Sequence, residues 1–172
     1  LVDTLRREGV PPEALVVEVS ERSMLDGATT GASTGIVTAL HSLSGAGILV
    51  ALDDFGTGYS SLTHVVSYPL DCLKIDRSFV AGLGSDTHRS SVVAALVGLA
   101  GATHMEVVAE GVEHPRQVET LRELGCRFGQ GYHFSRPAPL EETIMACRLA
   151  AGVTSTSDDP PPASDDLTQR SD

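Results

Sequence analysis

The chain has 172 residues and a mass of 18.0 kDa, the size of one domain, with 41% hydrophobic and 20% charged residues. That composition excludes a disordered, collagen-like or membrane-spanning class. A formal charge of −11 and a pI of about 4.8 argue against binding a nucleic acid polymer through a basic patch. An anionic substrate therefore needs a metal or a focused cation as mediator.

The first strand-length apolar run covers 14–19. Ile36, Leu40 and Leu43 then recur at helical spacing and end in glycines at 45 and 47. Further strand-length runs follow at 47–52 and 72–75. Val92, Leu96 and Leu99 mark a second helix, and 106–109 a fourth strand. Pro115 suits a first helical position, with Val118, Leu121 and Leu124 as the apolar stripe before Gly125. A fifth strand falls within 126–134, where Phe128 and Phe134 are expected in the core and Arg136 in a salt bridge. A last helix is expected over 139–151. The stretch 154–172 is acidic and nearly without large apolar side chains, so it reads as a disordered tail. The expected organisation is a folded domain over 1–150 and a tail over 151–172.

Cys72, Cys126 and Cys147 are an odd set without C-x-x-C spacing, which speaks against a disulfide framework and for a reducing cytoplasm. The longest apolar run, 92–102, is too short for a membrane span, and no signal peptide is visible. The chain starts at Leu1 rather than methionine, as a piece of a longer product would.

Strand–helix alternation predicts a parallel α/β sheet, either a β/α barrel or an open doubly wound sheet. Nearly every predicted strand ends in polar chemistry: Glu18 with Glu21, Asp53 with Asp54, Lys74 with Asp76, Glu110 with Glu113, and Gln130. These groups recur 20 to 36 residues apart, about one strand–helix–strand unit, so they gather at one end of the sheet. Alternation along strands turns Glu18 with Ser20, and Lys74 with Asp76, to a common face. Each pair alone reads as a turn, a cap or a first-turn charge pair. Four clusters in register favour a metal site instead. Carboxylates crowded there repel one another, and a hard divalent cation such as Mg²⁺ or Mn²⁺ resolves the conflict. Lys74 is the only lysine beside eleven arginines, which favours a chemical role over a structural one. Two reactions fit this much: proton abstraction beside a metal-bound carboxylate, or metal-assisted hydrolysis of a phosphodiester.

Five motifs stand in order: Glu18-Val-Ser-Glu21, Asp53-Asp-Phe-Gly-Thr-Gly-Tyr-Ser-Ser-Leu62, Lys74-Ile-Asp76, Ala109-Glu-Gly-Val-Glu113 and Gln130-Gly-Tyr-His-Phe-Ser-Arg-Pro137. Together they resemble the bacterial EAL-domain family of cyclic di-GMP phosphodiesterases. The resemblance implies a TIM-like β/α barrel, of which about the last five units are present. It also implies hydrolysis of cyclic di-GMP to linear pGpG with Mg²⁺ or Mn²⁺, in second-messenger signalling. Glu18, Asp53 and Asp54 then correspond to metal ligands, and Lys74 and Glu110 to the catalytic pair at the attacking water. Glu21 corresponds to a brace for the loop after Asp54, and Asp76, Glu113 and Gln130 to site support. The loop after Asp54 is implied in homodimerisation, and a fused sensory or GGDEF domain is an expected neighbour. The family's Glu-Ala-Leu motif and an asparagine ligand belong upstream of Leu1, so this chain alone is expected to be inactive. The alternative is a non-catalytic module that binds cyclic di-GMP or a protein partner.

Overall fold

The computed structural model describes residues 1–24, 33–56 and 67–150. The expected tail over 154–172 and the loop Thr57-Gly-Tyr-Ser-Ser-Leu62 lie outside them. Two compact units are distinguished, Leu1–Arg136 and Pro137–Asp172.

The first unit begins with α1 (Val2–Arg7) and a 3-10 turn at Pro12–Ala14, where a strand start was expected. The turn takes up the first two N–H groups of the expected strand: Ala14 N donates to Pro11 O and Leu15 N to Pro12 O, both at 3.0 Å. The chain continues through β1 (Val16–Ser20), helical residues 21–24, α2 (Ser33–Gly45), β2 (Leu49–Phe55) and β3 (Cys72–Ile75). The short α3 (Arg77–Val80), which the periodicity did not announce, comes next. It is followed by α4 (Thr87–Ala102), β4 (Glu106–Ala109), α5 (Pro115–Glu123) and β5 (Phe128–Gly129).

All five strands run parallel, in the order β1-β2-β3-β4-β5. A doubly wound sheet reverses its strand order at a switch point, and this one does not. Its one-way winding is that of a β/α barrel. The crossovers from β1 to β2, from β3 to β4 and from β4 to β5 carry helices, which cover one sheet face. Val50, Leu52, Leu73, Ile75, Val107 and Ala109 supply the buried side chains there, against Leu40 of α2, Val93 and Ala100 of α4, and Leu121 of α5. The register aligns Val16 with Leu49, Glu18 with Ala51, and Ser20 with Asp53, so these six share the opposite face. That face is apolar and open at its lower end, where Val16 and Leu49 are 47% and 36% exposed. Its upper end is charged.

β5 has only two residues and stands at the sheet edge. Phe128 and Phe134 are therefore not core residues as expected; both remain about half exposed. Arg136 is placed over the Tyr132 ring, 4.4 Å from its centroid, instead of in the expected salt bridge.

The second unit contains α6 (Leu140–Ala150), one residue inside the predicted bounds. Thr143 Oγ1 donates to the Pro139 carbonyl near its start, Glu141 and Glu142 occupy the first turn, and Arg148 the last. That charge order complements the helix dipole. Among the described residues no helix is long and apolar enough to cross a membrane.

Candidate metal-dependent active site

The polar strand ends meet around Lys74. Its position on β3 faces away from the helices, with Leu73 and Ile75 taking the core side. The ammonium Nζ is 2.7 Å from Glu18 Oε1 on β1, 2.7 Å from Glu110 Oε1 after β4, and 3.3 Å from Asp53 Oδ1 on β2. Lys74 is only 6% exposed. Burial works to lower its pKa, but the hydrogen bonds to Glu110 and Glu18 and the charges of Glu110 and Asp53 outweigh it and raise it. The side chain is accordingly a fixed cation.

Adjacent residues on a regular strand point to opposite faces, which would separate Asp53 from Asp54. Here the register slips between Leu52 and Phe55, so that three steps on β2 match the two from Leu73 to Ile75 on β3. This bulge coincides with a left-handed backbone at Asp54, φ 57°. As a result, one carboxylate oxygen from each of Asp53, Asp54 and Glu110 lies within 4.8 Å of the others. Three hard oxygen donors at that spacing fit a divalent cation of the Mg²⁺ or Mn²⁺ type. Glu18 reaches this group through Lys74.

Glu21, in the helical residues after β1, is 5% exposed, and its Oε2 accepts the Gly56 N–H at 3.1 Å. It thus holds the chain two residues beyond Asp54. Asp76 accepts from Ser78 N at 3.0 Å and caps α3. Burial acts to raise its pKa, yet the hydrogen bonds from Ser78 and Arg77 win and lower it. Glu113 and Gln130 line, with Glu110, a cavity of about 270 Å³. The loops after β4 and β5 are zipped together: Val112 N donates to Gln130 O at 3.0 Å, and His133 N to Val112 O at 2.9 Å.

Two positioning groups escaped the sequence reading. Asp71 Oδ2 accepts Val50 N at 2.8 Å and fixes the entry to β3. Gln117, 3% exposed, accepts the N–H groups of Glu113 and His114 at 2.7 and 2.8 Å and donates to Val80 O at 3.1 Å. Its place as third residue of a helix that opens with Pro115 was the available signal.

The zipper leaves no room at Gly131, where a Cβ would collide with the backbone N, C and O of Val112. Gly131→Ala is expected to destabilise the domain by about 1–3 kcal/mol, read as a lower urea midpoint. An unchanged midpoint would show that the two loops separate freely.

Cys72 lies two residues before Lys74. Burial pushes its thiol up to about 11, with Glu106, Glu18 and Asp71 adding to the effect and Lys74 opposing it. A raised folded-state value means that the protonated thiol favours folding. That contribution is complete below the unfolded value and is lost as pH rises through about 11. At pH 8 native Cys72 should alkylate at least tenfold more slowly than in urea, as measured by peptide mass spectrometry. Equal rates would contradict the shielding of this part-buried thiol.

Comparison with known proteins gives this geometry its setting. The family model described as EAL domain matches residues 1–137. The probable cyclic di-GMP phosphodiesterase PdeN of Escherichia coli (strain K12) is 43% identical over 130 residues, which cover 76% of this chain and 24% of that protein. The chain therefore spans about a quarter of that relative's length. Among solved structures, the PaMucR phosphodiesterase in its c-di-GMP complex superposes with a TM-score of 0.73 at 39% identity, over 82% of this chain and 55% of the other. Klebsiella pneumoniae BlrP1, in a manganese/cy-diGMP complex, gives 0.71 at 32% identity, over 80% and 34% respectively. With the one-way parallel sheet and the five motifs in place, the chain belongs to the EAL domain family.

Proposed function

We propose that this chain forms the C-terminal part of a phosphodiesterase site that hydrolyses cyclic di-GMP to linear pGpG, using Mg²⁺ or Mn²⁺. The observation that carries this reading is the convergence of Asp53, Asp54 and Glu110 beside a buried lysine. Asp53 and Asp54, with Glu110 and Glu18 beside them, would hold the cation. When bound, it supplies Lewis-acid charge at the scissile phosphate. Lys74, kept protonated by its carboxylate ring, orients the attacking water as a hydrogen-bond donor. Glu110 accepts that water's proton, and Gln130 steadies the substrate from the loop after β5. Glu21 keeps Asp54 in place through Gly56.

Among the described residues, five strands with β1 and β5 at the edges do not close a barrel, and Val16 and Leu49 lie exposed on the inner face. Residues 1–172 alone should therefore turn over cyclic di-GMP far more slowly than the protein that carries them. A dimer through the loop after Asp54 and an attached sensory or GGDEF domain belong to the same reading.

The test is release of pGpG from cyclic di-GMP by the full-length protein, followed by chromatography with Mg²⁺, with Mn²⁺ and with chelator. Metal-dependent release supports the reading. Tight binding of cyclic di-GMP without release would favour the non-catalytic module.

A further inference from the structure

We propose that α3, the one-turn helix that follows Lys74, is a wedge that sets the spacing of the cation-binding carboxylates, with Phe79 and Arg77 as its positioning residues; this rests on the metal-dependent reading above. Asp54 reaches the carboxylate triad from the end of β2, and Glu110 from the residue after β4. α3 (Arg77–Val80) follows β3, the strand between those two. It touches both chains just beyond their carboxylates.

Each contact falls on a left-handed glycine. Gly56, two residues after Asp54, has φ 94°, and Gly111, next to Glu110, has φ 66°. A Cβ on Gly56 would lie 3.0 and 3.1 Å from Cε2 and Cζ of Phe79. A Cβ on Gly111 would lie 2.5 Å from the Cβ of Arg77 and 3.3 Å from its Cα. The Phe79 ring edge and the start of the Arg77 side chain therefore rest directly on the two backbones. Glycine is needed at both places for the conformation and again for the space.

Gly56 is held a second way. Its N–H is bound by Glu21 Oε2 at 3.1 Å, so it is gripped by a buried carboxylate as well as by an aromatic ring. Asp54 itself holds φ 57°, a region that a residue with a Cβ keeps only where its surroundings impose it.

A wedge must be rigid, and four residues do not hold a helix by themselves. α3 is capped by Asp76 Oδ1, which accepts Ser78 N at 3.0 Å. Arg89 on α4 donates to Ser78 O, and Gln117 on α5 donates to Val80 O at 3.1 Å. The wedge is thus fixed to two of the helices that cover the sheet. Mg²⁺ demands near-octahedral donors at about 2.0–2.1 Å. The three oxygens of Asp53, Asp54 and Glu110 lie within 4.8 Å of one another. A loop that settles into an emptied wedge would carry its donor out of reach.

The experiment measures Mn²⁺ affinity by titration calorimetry, beside urea unfolding, on the full-length protein. Phe79→Ala should weaken Mn²⁺ binding about tenfold. Phe79→Leu keeps most of the bulk and should weaken it by no more than about threefold. Gly111→Ala, which pushes from the Arg77 side, should again weaken it about tenfold. High Mn²⁺ should return kcat of Phe79→Ala to within about threefold of native, because the wedge touches no reacting atom. Leu121→Ala, a truncation of the core at α5, should lower the urea midpoint and leave Mn²⁺ affinity native. Native affinity in both Phe79→Ala and Gly111→Ala, or an equal loss in Leu121→Ala, would make α3 a folding element only and overturn the proposal. Either result would leave the phosphodiesterase reading intact. A native protein that binds no Mn²⁺ would overturn both. One that shows the expected affinity changes and yet leaves cyclic di-GMP intact would overturn the phosphodiesterase reading and support the wedge.

Discussion

Lys74→Met is expected to lower kcat on cyclic di-GMP by about a thousandfold with little change in KM. Positioned groups at a proton-transfer step contribute on the order of 10²–10⁴ in rate, and this ammonium touches three of the site's carboxylates, at 2.7, 2.7 and 3.3 Å. Its removal also leaves Glu18, Asp53 and Glu110 facing one another without a cation. Breaking a fully buried pair costs about 3–5 kcal/mol, and exposed pairs far less. Because Glu18 is 49% exposed at the side chain, a loss of about 1–3 kcal/mol is expected in metal-free protein. Turnover per folded molecule, with urea unfolding on the same sample, separates the two effects. A variant that loses stability but keeps kcat would make Lys74 a brace and not part of the chemistry.

Asp53→Asn removes a charge shared by the lysine and the oxygen triad while keeping the side chain's shape. Mn²⁺ affinity measured by titration calorimetry should fall ten- to a hundredfold, and metal-dependent hydrolysis by at least a hundredfold. The same variant should unfold within about 1 kcal/mol of the native protein, because Asp53 Oδ1 to Asp54 N at 2.9 Å is a bond that an asparagine oxygen also makes. Unchanged metal affinity would remove Asp53 from the cation site.

Much of this architecture is legible in the residues. Strand parity turns Glu18 and Lys74 away from the helices, because packing alone would place an aliphatic side chain there, and both meet on that face. The Val118–Leu121 stripe after Pro115 gives α5 its bounds to within a residue. Short segments are harder to read. α1 has six residues and no buried one, and α3 has four, so neither carries enough apolar period to stand out. Phe128 and Phe134 look like core residues by type, and only the sheet edge beside them shows that nothing among the described residues covers them.

By itself, the sequence determines the alternation of strands and helices, the acidic surface, and the clustering of polar groups at one end of the strands. Hydrophobic period and composition are local properties, carried by neighbours along the chain. The tertiary structure decides how the carboxylates combine. Asp53 and Asp54 belong on opposite faces of any regular strand, and they act together because β2 gains one residue against β3 and Asp54 takes a left-handed backbone. A register slip between paired strands is a non-local event, set by hydrogen bonds to a partner some twenty residues away, and no local pattern records it.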